Sequence, residues 1–253
     1  MIRAVLVLWR LEDKRYAVQL TFRGARRDGG ILRQICDIGI PSGSRSDMYF
    51  SANLIMQIQV NTYGTDTVAA LSAYEKIDGF VWMTMTSFGM AITTFCGQNF
   101  GAGKMDRVRK GMRECCVMAA VSAVLFSGAF IAFSGSLMGW FTSDASVIEI
   151  GSRLLVELTP FYIRYVFTEI YAGGIRGCGE SFIPMVITAV GVCLLRVIWT
   201  GIVALAQGSL DMLMVGYPAT WAIISVVIIP FYSNGSWLKY CGPATVCNRL
   251  NIT

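Results

Sequence analysis

Charged residues are spaced so that they leave long apolar stretches free of them. Met48–Thr65, Gly79–Gly103, Cys115–Ser143 and Met212–Leu238 carry no Asp, Glu, Lys or Arg. Ser181–Leu210 is interrupted only by Arg196. Ser146–Ala172 is apolar in bulk, although it holds Glu149, Arg153, Glu157, Arg164 and Glu169. The hydrocarbon layer of a bilayer is about 30 Å thick, and a helix needs roughly 20 mostly apolar residues to cross it. The pattern therefore predicts six spanning helices, at about Ile35–Asn61, Gly79–Gly97, Glu114–Phe141, Ser146–Gly173, Phe182–Ala206 and Met212–Tyr232. A water-soluble bundle would need a polar stripe on each outer face, and Cys115–Ser143 has none.

Composition points the same way: 55% of the 253 residues are hydrophobic and 15% charged, against about 45–50% and about 25% in soluble domains. The expected fold is all-α, a polytopic membrane protein built as a six-helix bundle over residues 35–238. A basic leader (1–34) and a short tail (239–253) flank it. Of the 21 basic and 16 acidic residues, 8 and 3 fall in residues 1–33, so the remaining 220 are neutral with 13 of each sign. No folded basic patch is left for a nucleic acid. Positive loops stay in the cytoplasm. The termini and the second and fourth loops share one side, with Lys104, Arg107, Arg109, Lys110, Arg113 and Arg176, whereas the other side offers only Lys76. Both termini are therefore expected in the cytoplasm, with the chain multi-pass in the cell membrane. The leader has too short an apolar run, Ala4–Trp9, for a secretory signal. It reads as a basic tail lying near anionic lipid or as the product of a truncated reading frame.

Histidine is absent, which removes Ser-His-Asp catalysis and imidazole metal sites. None of the eight cysteines forms a Cys-x-x-Cys, so neither a zinc site nor a disulfide framework is indicated. The chain reads as a non-enzyme with no cofactor. Its polar candidates lie inside the spans. Tyr49, Asn53, Gln57 and Asn61 recur every four residues and share one helix face. They serve either as hydrogen-bonded glue between helices or as the lining of a transport cavity. Arg45 and Asp47 are expected off that face, snorkelling or locally paired. In the fourth helix Arg153 and Glu157 are spaced for an ion pair, Pro160 should bend the rod, and Glu169 is either paired or coupled to an ion. Tyr49, Phe161, Tyr165 and Trp82 offer π faces to a lipophilic cation, or else pack ordinarily. Trp140, Trp237 and Tyr240 fit an interfacial belt.

The most specific string is GQNFGAGKMDRVRKG, from Gly97 to Gly111. It lacks the Gly-Lys-Ser/Thr and preceding strand of a phosphate loop. It reads instead as a tight turn, in which Gly97, Gly101 and Gly103 permit positive φ and Gln98 and Asn99 satisfy backbone groups. Together with NTYGTDTVAALSAYEKIDGF and GGIRGCGESFIPM, it resembles the multidrug and toxic compound extrusion (MATE) family, more narrowly the carboxy-terminal lobe of a bacterial member. The resemblance covers about Ile35 to Leu238, with Gly97, Gln98, Asn99, Gly101, Ala102, Arg176 and Gly177 as cytoplasmic loop motifs. It implies one lobe of a two-lobe pseudo-symmetric antiporter that exports organic cations or drugs against Na+ or H+. Such a lobe would need an amino-terminal lobe or a second copy as partner. It further implies that the acids by which some relatives bind sodium are replaced here by Tyr49 and Tyr165, and that the main coupling residue is absent. A lipid-linked precursor or polysaccharide flippase, and a non-transporting membrane fragment, are the alternatives. In fractionation the chain should sediment with membranes and be released by detergent but not by salt or alkali; release into buffer as a dispersed monomer would overturn the bilayer reading.

Overall fold

The structure, a computed structural model, describes residues 29–235. Most of the expected leader, and the tail with Trp237 and Tyr240, lie outside the described residues. The chain falls into two compact units, Met1–Cys36 and Asp37–Thr253. Of the first, the described residues form the opening turns of the first helix; the second holds the bundle. The described residues are 90% helical with no strand.

The elements make six rods. The first is α1 (Gly29–Val60), followed by a 3₁₀ turn at Asn61–Tyr63. The second is α2 (Thr65–Gly101) and the third α3 (Met105–Ala132) with the short α4 (Ser134–Gly139). The fourth joins α5 (Ala145–Leu158) to α6 (Tyr162–Gly177) through a 3₁₀ turn at Thr159–Phe161. Pro160 sits in that turn, where its missing N–H and fixed φ interrupt the α-helical ladder. The fifth rod is α7 (Phe182–Thr188), a π-helical turn at Ala189–Leu194 and α8 (Leu195–Leu205). The sixth is α9 (Leu210–Met214) and α10 (Gly216–Ser233).

The expected rod count holds, but several boundaries move. The largest change is in α2, which starts at Thr65 and not at Gly79. Gly64, at φ 102, breaks the chain just before it, and Asp66 in the first turn faces the positive end of the helix dipole. The charges from Asp66 to Asp78 are therefore helical and not loop. At 1.5 Å per residue, its 37 residues span about 55 Å, well beyond the hydrocarbon. The glycine-rich string is also mostly helix. Gly97 and Gly101 lie inside α2, Arg176 and Gly177 inside α6, and only Ala102–Lys104 turn. Of the three glycines expected to need positive φ, Gly103 alone adopts it, at 70°. Asp144 caps α5, accepting from the Ser146 amide at 3.0 Å and its hydroxyl at 2.9 Å. Those donors hold its carboxyl below the usual range.

Four of these helical stretches, Thr65–Gly101, Met105–Ala132, Phe182–Leu205 and Leu210–Ser233, are long and apolar enough to cross a membrane. Their outer faces show the solvent they suit. Only 28% of the most apolar window of α3 is buried within the protein, while Val117, Val121, Val124 and Leu125 stand exposed on it. The polar side chains instead turn inward around α6, the most enclosed helix of the bundle, which packs on α2, α3 and α10.

Small residues let α6 meet α2 at backbone distance. Gly89, Thr93 and Gly97 recur every four residues on α2 and face Gly173 and Gly177 of α6. The Thr93 hydroxyl donates across the seam to the Gly173 carbonyl at 2.9 Å. A Cβ on Gly177 would lie 2.3 Å from the Thr93 carbonyl oxygen, and one on Gly173 would lie 2.9 Å from that of Gly89. Close approach through small residues is how helices associate in lipid, where no hydrophobic force joins them. Gly177→Ala should accordingly destabilise the bundle by about 1–3 kcal/mol through overpacking, seen as a lower thermal midpoint in detergent. Gly128→Ala, whose Cβ meets open space, should leave the midpoint unchanged or raise it.

Candidate functional site

A cavity of about 540 Å³ opens between the first rod and the other helices of the bundle. Arg45, Tyr49 and Asn53 of α1 line one side, and Tyr74, Asp78 and Trp82 of α2 face it. Tyr165 of α6, Arg196 of α8, and Tyr217 and Trp221 of α10 complete the wall. The cavity exists because α1 comes close to its neighbours at isolated points only. Ala52, Met56 and Val60 of α1 are buried, Met56 and Val60 within the bundle's apolar core. Polar contacts add further ties of the first rod, among them Arg45 to Glu169, Asn53 to Arg196, and, from the turn that follows α1, the Tyr63 hydroxyl to the Gly208 carbonyl at 2.7 Å.

Glu169, one turn beyond Tyr165 on α6, is buried beside this wall. Its Oε2 accepts from Arg45 Nη2 at 2.8 Å and from the Tyr165 hydroxyl at 3.1 Å, while Oε1 accepts from Arg176 Nη2 at 3.1 Å. Two guanidinium groups therefore enclose one carboxylate, and the triad carries a net positive charge. Arg176 Nη1 has no partner among the described residues. The second buried acid, Asp78, accepts from the Tyr162 hydroxyl and from Trp82 Nε1, the latter at 2.6 Å. Tyr74 and Tyr162 hydroxyls lie 3.3 Å apart, extending that network. Rings pack between the two acids: Trp82 and Tyr165 have centroids 4.4 Å apart, and Trp221 meets Tyr165 at 5.9 Å and Tyr217 at 6.0 Å. Such tilted pairs build a stiff wall of π faces.

Arg196 forms the third charged centre, after the Glu169 triad and Asp78. It is 2% exposed. Its Nη1 donates to Asn53 Oδ1 at 3.0 Å and its Nη2 to Thr220 Oγ1 at 3.2 Å, and the guanidinium lies 4.2 Å from the centre of the Tyr217 ring. The π turn before it places it there. A π turn takes an extra residue, which rotates the rest of the helix by about 100° relative to an unbroken α-helix.

The sequence-derived candidates divide. Tyr49, Asn53 and Tyr165 come together at the cavity. Gln57 and Asn61, on the same predicted stripe, hydrogen-bond each other at 3.2 Å and do not line it. Phe161 is likewise absent from the wall; its ring sits 5.7 Å from the Arg164 guanidinium. Glu169 is paired, and through Arg45, which is thus neither snorkelling nor locally paired but bound to a residue 124 positions away. Asp47 stays exposed on α1. Arg153 does approach Glu157, at 3.8 Å, but its closer partner is Asp211 of the sixth rod. Trp140, at the end of α4, is 79% exposed, as a belt residue would be. Asp78, Trp221 and Arg196 join the site without having stood out as candidates in the sequence. Arg196 alone carries a readable signal, a lone charge in an otherwise uncharged span. A second cavity of about 710 Å³, with Arg109, Arg113, Tyr171 and Tyr232 in its wall, holds none of these buried charges.

A family model described as MatE matches residues 41–202. Among curated proteins, the probable multidrug resistance protein YoeA of Bacillus subtilis is 24% identical over 217 residues, covering 83% of this chain and 46% of the relative. The probable multidrug resistance protein NorM of Thermotoga maritima is 22% identical over 214 residues, covering 82% and 45%. Among solved structures, an outward-facing multidrug resistance MATE family transporter superposes with a TM-score of 0.84 at 17% identity, over 94% of this chain and 54% of that one. A MOP superfamily transporter from Pyrococcus furiosus gives 0.85 at 17% identity, over 94% and 54%. The chain spans about half the length of the curated relatives it matches.

Removing one partner of a buried ion pair leaves the other charge uncompensated, at a cost of about 3–5 kcal/mol. Glu169→Gln should therefore lower the thermal midpoint in detergent sharply. A cycle with Arg45→Gln should show the two losses to be non-additive by about 0.5–3 kcal/mol.

Proposed function

The chain belongs to the MatE family, a family of multi-pass membrane transporters, and on that premise we propose that it forms one lobe, corresponding to the carboxy-terminal half, of a cation-coupled antiporter exporting organic cations or drugs. The observation that supports this most is the cavity itself. Charged side chains (Arg45, Asp78, Arg196) and π faces (Tyr49, Trp82, Tyr165, Trp221) converge on one intramembrane space, the chemistry that a lipophilic ion needs to leave lipid. The protein is on this reading a carrier and not an enzyme. The coupling ion is Na+ or H+. The termini lie in the cytoplasm, following the Lys/Arg bias of the loops.

Glu169 is the candidate acid of this lobe, and its two arginine partners would hold it charged and compensated until a conformational change separates them. Tyr49 and Tyr165 occupy the wall where sodium-binding relatives are expected to carry acids, so coupling falls mainly to another lobe. Alternating access in two-lobe carriers rocks one bundle against the other around a site at their interface. The partner is therefore an amino-terminal lobe, with a second copy of this chain as the other candidate. Two arginines in the cavity wall favour one further reading, an anionic lipid-linked cargo of the kind handled by flippases.

Expressed by itself in a drug-sensitive host, the chain should leave drug sensitivity unchanged. Sustained extrusion by the purified chain in proteoliposomes would overturn the need for an amino-terminal lobe and favour the second copy. If extrusion is restored by supplying an amino-terminal lobe from a relative, its collapse with a sodium ionophore or with a protonophore identifies the coupling ion. Failure of any lobe pairing to move organic cations, with movement of a lipid-linked phosphate instead, would replace the drug reading.

A further inference from the structure

Arg196 stands apart from the other intramembrane charges. Arg45, Arg176 and Glu169 neutralise one another in part, and Asp78 has two donors. Arg196 has no carboxylate within ion-pair distance among the described residues, and its hydrogen-bond partners, Asn53 and Thr220, are neutral. Tyr217 covers one face of its guanidinium, which offsets part of the charge but accepts no hydrogen bond from the N–H edge. Nε, buried at the cavity wall, has no acceptor among the described residues. An arginine cannot shed its proton to escape this environment, and an unpaired cation in a low-dielectric interior is expensive.

We infer that Arg196 is the cavity's anchor for an oxyanion, a carboxylate or phosphate group carried by an amphiphilic cargo; this rests on the cavity being the cargo site. A guanidinium carries five N–H donors; Asn53 and Thr220 take two of them and Nε has no acceptor among the described residues, so donors remain on its N–H edge for an oxyanion, the group the guanidinium fork suits best. The site is built to hold that edge still. Asn53 and Thr220 fix the two terminal nitrogens, Tyr217 fixes the plane, and the π turn over Ala189–Leu194 sets the rotation. The rings of Trp82, Tyr165 and Trp221 take the apolar body of the same molecule. Within the drug cargo proposed above, this narrows the preference to molecules that carry an acidic group, a zwitterion or an aromatic acid.

The test is calorimetric titration of the purified chain in phosphatidylcholine nanodiscs with two probes that share a naphthalene ring, one ending in a carboxylate and the other in an ammonium group. The carboxylate should bind at least about fivefold more tightly. Charge-assisted hydrogen bonds are lost in Arg196→Gln, which should weaken the carboxylate by about tenfold or more while leaving the ammonium probe unweakened. Arg196→Lys, which keeps the charge but not the fork, should fall between. Asn53→Asp provides an independent arm that does not depend on the folding of Arg196→Gln: it gives Arg196 an internal counter-ion and should abolish the carboxylate preference in a folded chain. A carboxylate affinity unmoved by both Arg196→Gln and Asn53→Asp overturns the inference. If the ammonium probe binds preferentially and these variants leave that preference unchanged, the anion anchor falls and the transport reading stands. If neither probe saturates, the anion anchor in this chain falls, while the transport reading, which requires a partner lobe, is decided by the lobe-pairing assay.

Discussion

Hydrocarbon offers a buried polar group no hydrogen bond, so each charge inside this bundle has to find its partner within the protein. That constraint explains the arrangement better than any single helix does. The outer surface is given to Val, Leu, Met and Phe. Arg45, Arg176 and Glu169 are drawn together from α1 and α6, and Asp78 is reached by a tyrosine and a tryptophan. Each of these contacts joins positions distant in sequence or turns of one helix that would otherwise be unsatisfied. The polar network and the cavity are thus one feature: the charges cluster because lipid excludes them, and their clustering leaves a polar space between rods.

The geometry of that network depends in turn on α6. Glycine and threonine at the α2 seam bring the two backbones into contact, and the same seam places Glu169 against Gly89, where a Cβ would lie 2.8 Å from Oε1. Gly177 and Arg176 are neighbours with separate tasks, one admitting the partner backbone and the other reaching back to the carboxylate. The Arg-Gly pair of the family-like string thus lies in a helix and not in a loop, with both residues engaged in contacts to other helices or turns.

What a one-dimensional pattern can encode decides how much of this is legible in the sequence. Hydrophobic length reveals the rods, and Pro160 reveals the break in the fourth. A four-residue stripe identifies a face, and so singles out Tyr49 and Asn53. It carries no information on where along the helix the neighbours part, so Gln57 and Asn61, which lie beyond the cavity, belong to the same stripe. Asp66 to Asp78 read as loop when charge is taken to end a helix, whereas charge only marks where helix leaves lipid. Arg45 looks local because its partner lies 124 residues on. The Gly89–Thr93–Gly97 repeat is present in the sequence, yet its meaning requires knowing that Gly173 and Gly177 lie opposite.

The loose attachment of α1 has a mechanical consequence. A rod held mostly by side-chain ties bends away at small energetic cost, while α2 and α6, locked backbone to backbone, behave as a rigid spine. The bundle is therefore anisotropic in stiffness, and its most compliant coordinate is the outward tilt of the first rod. Two of the ties resisting that tilt end on Glu169 and Arg196, so the occupancy of the polar space and the elastic response of the bundle share these two side chains.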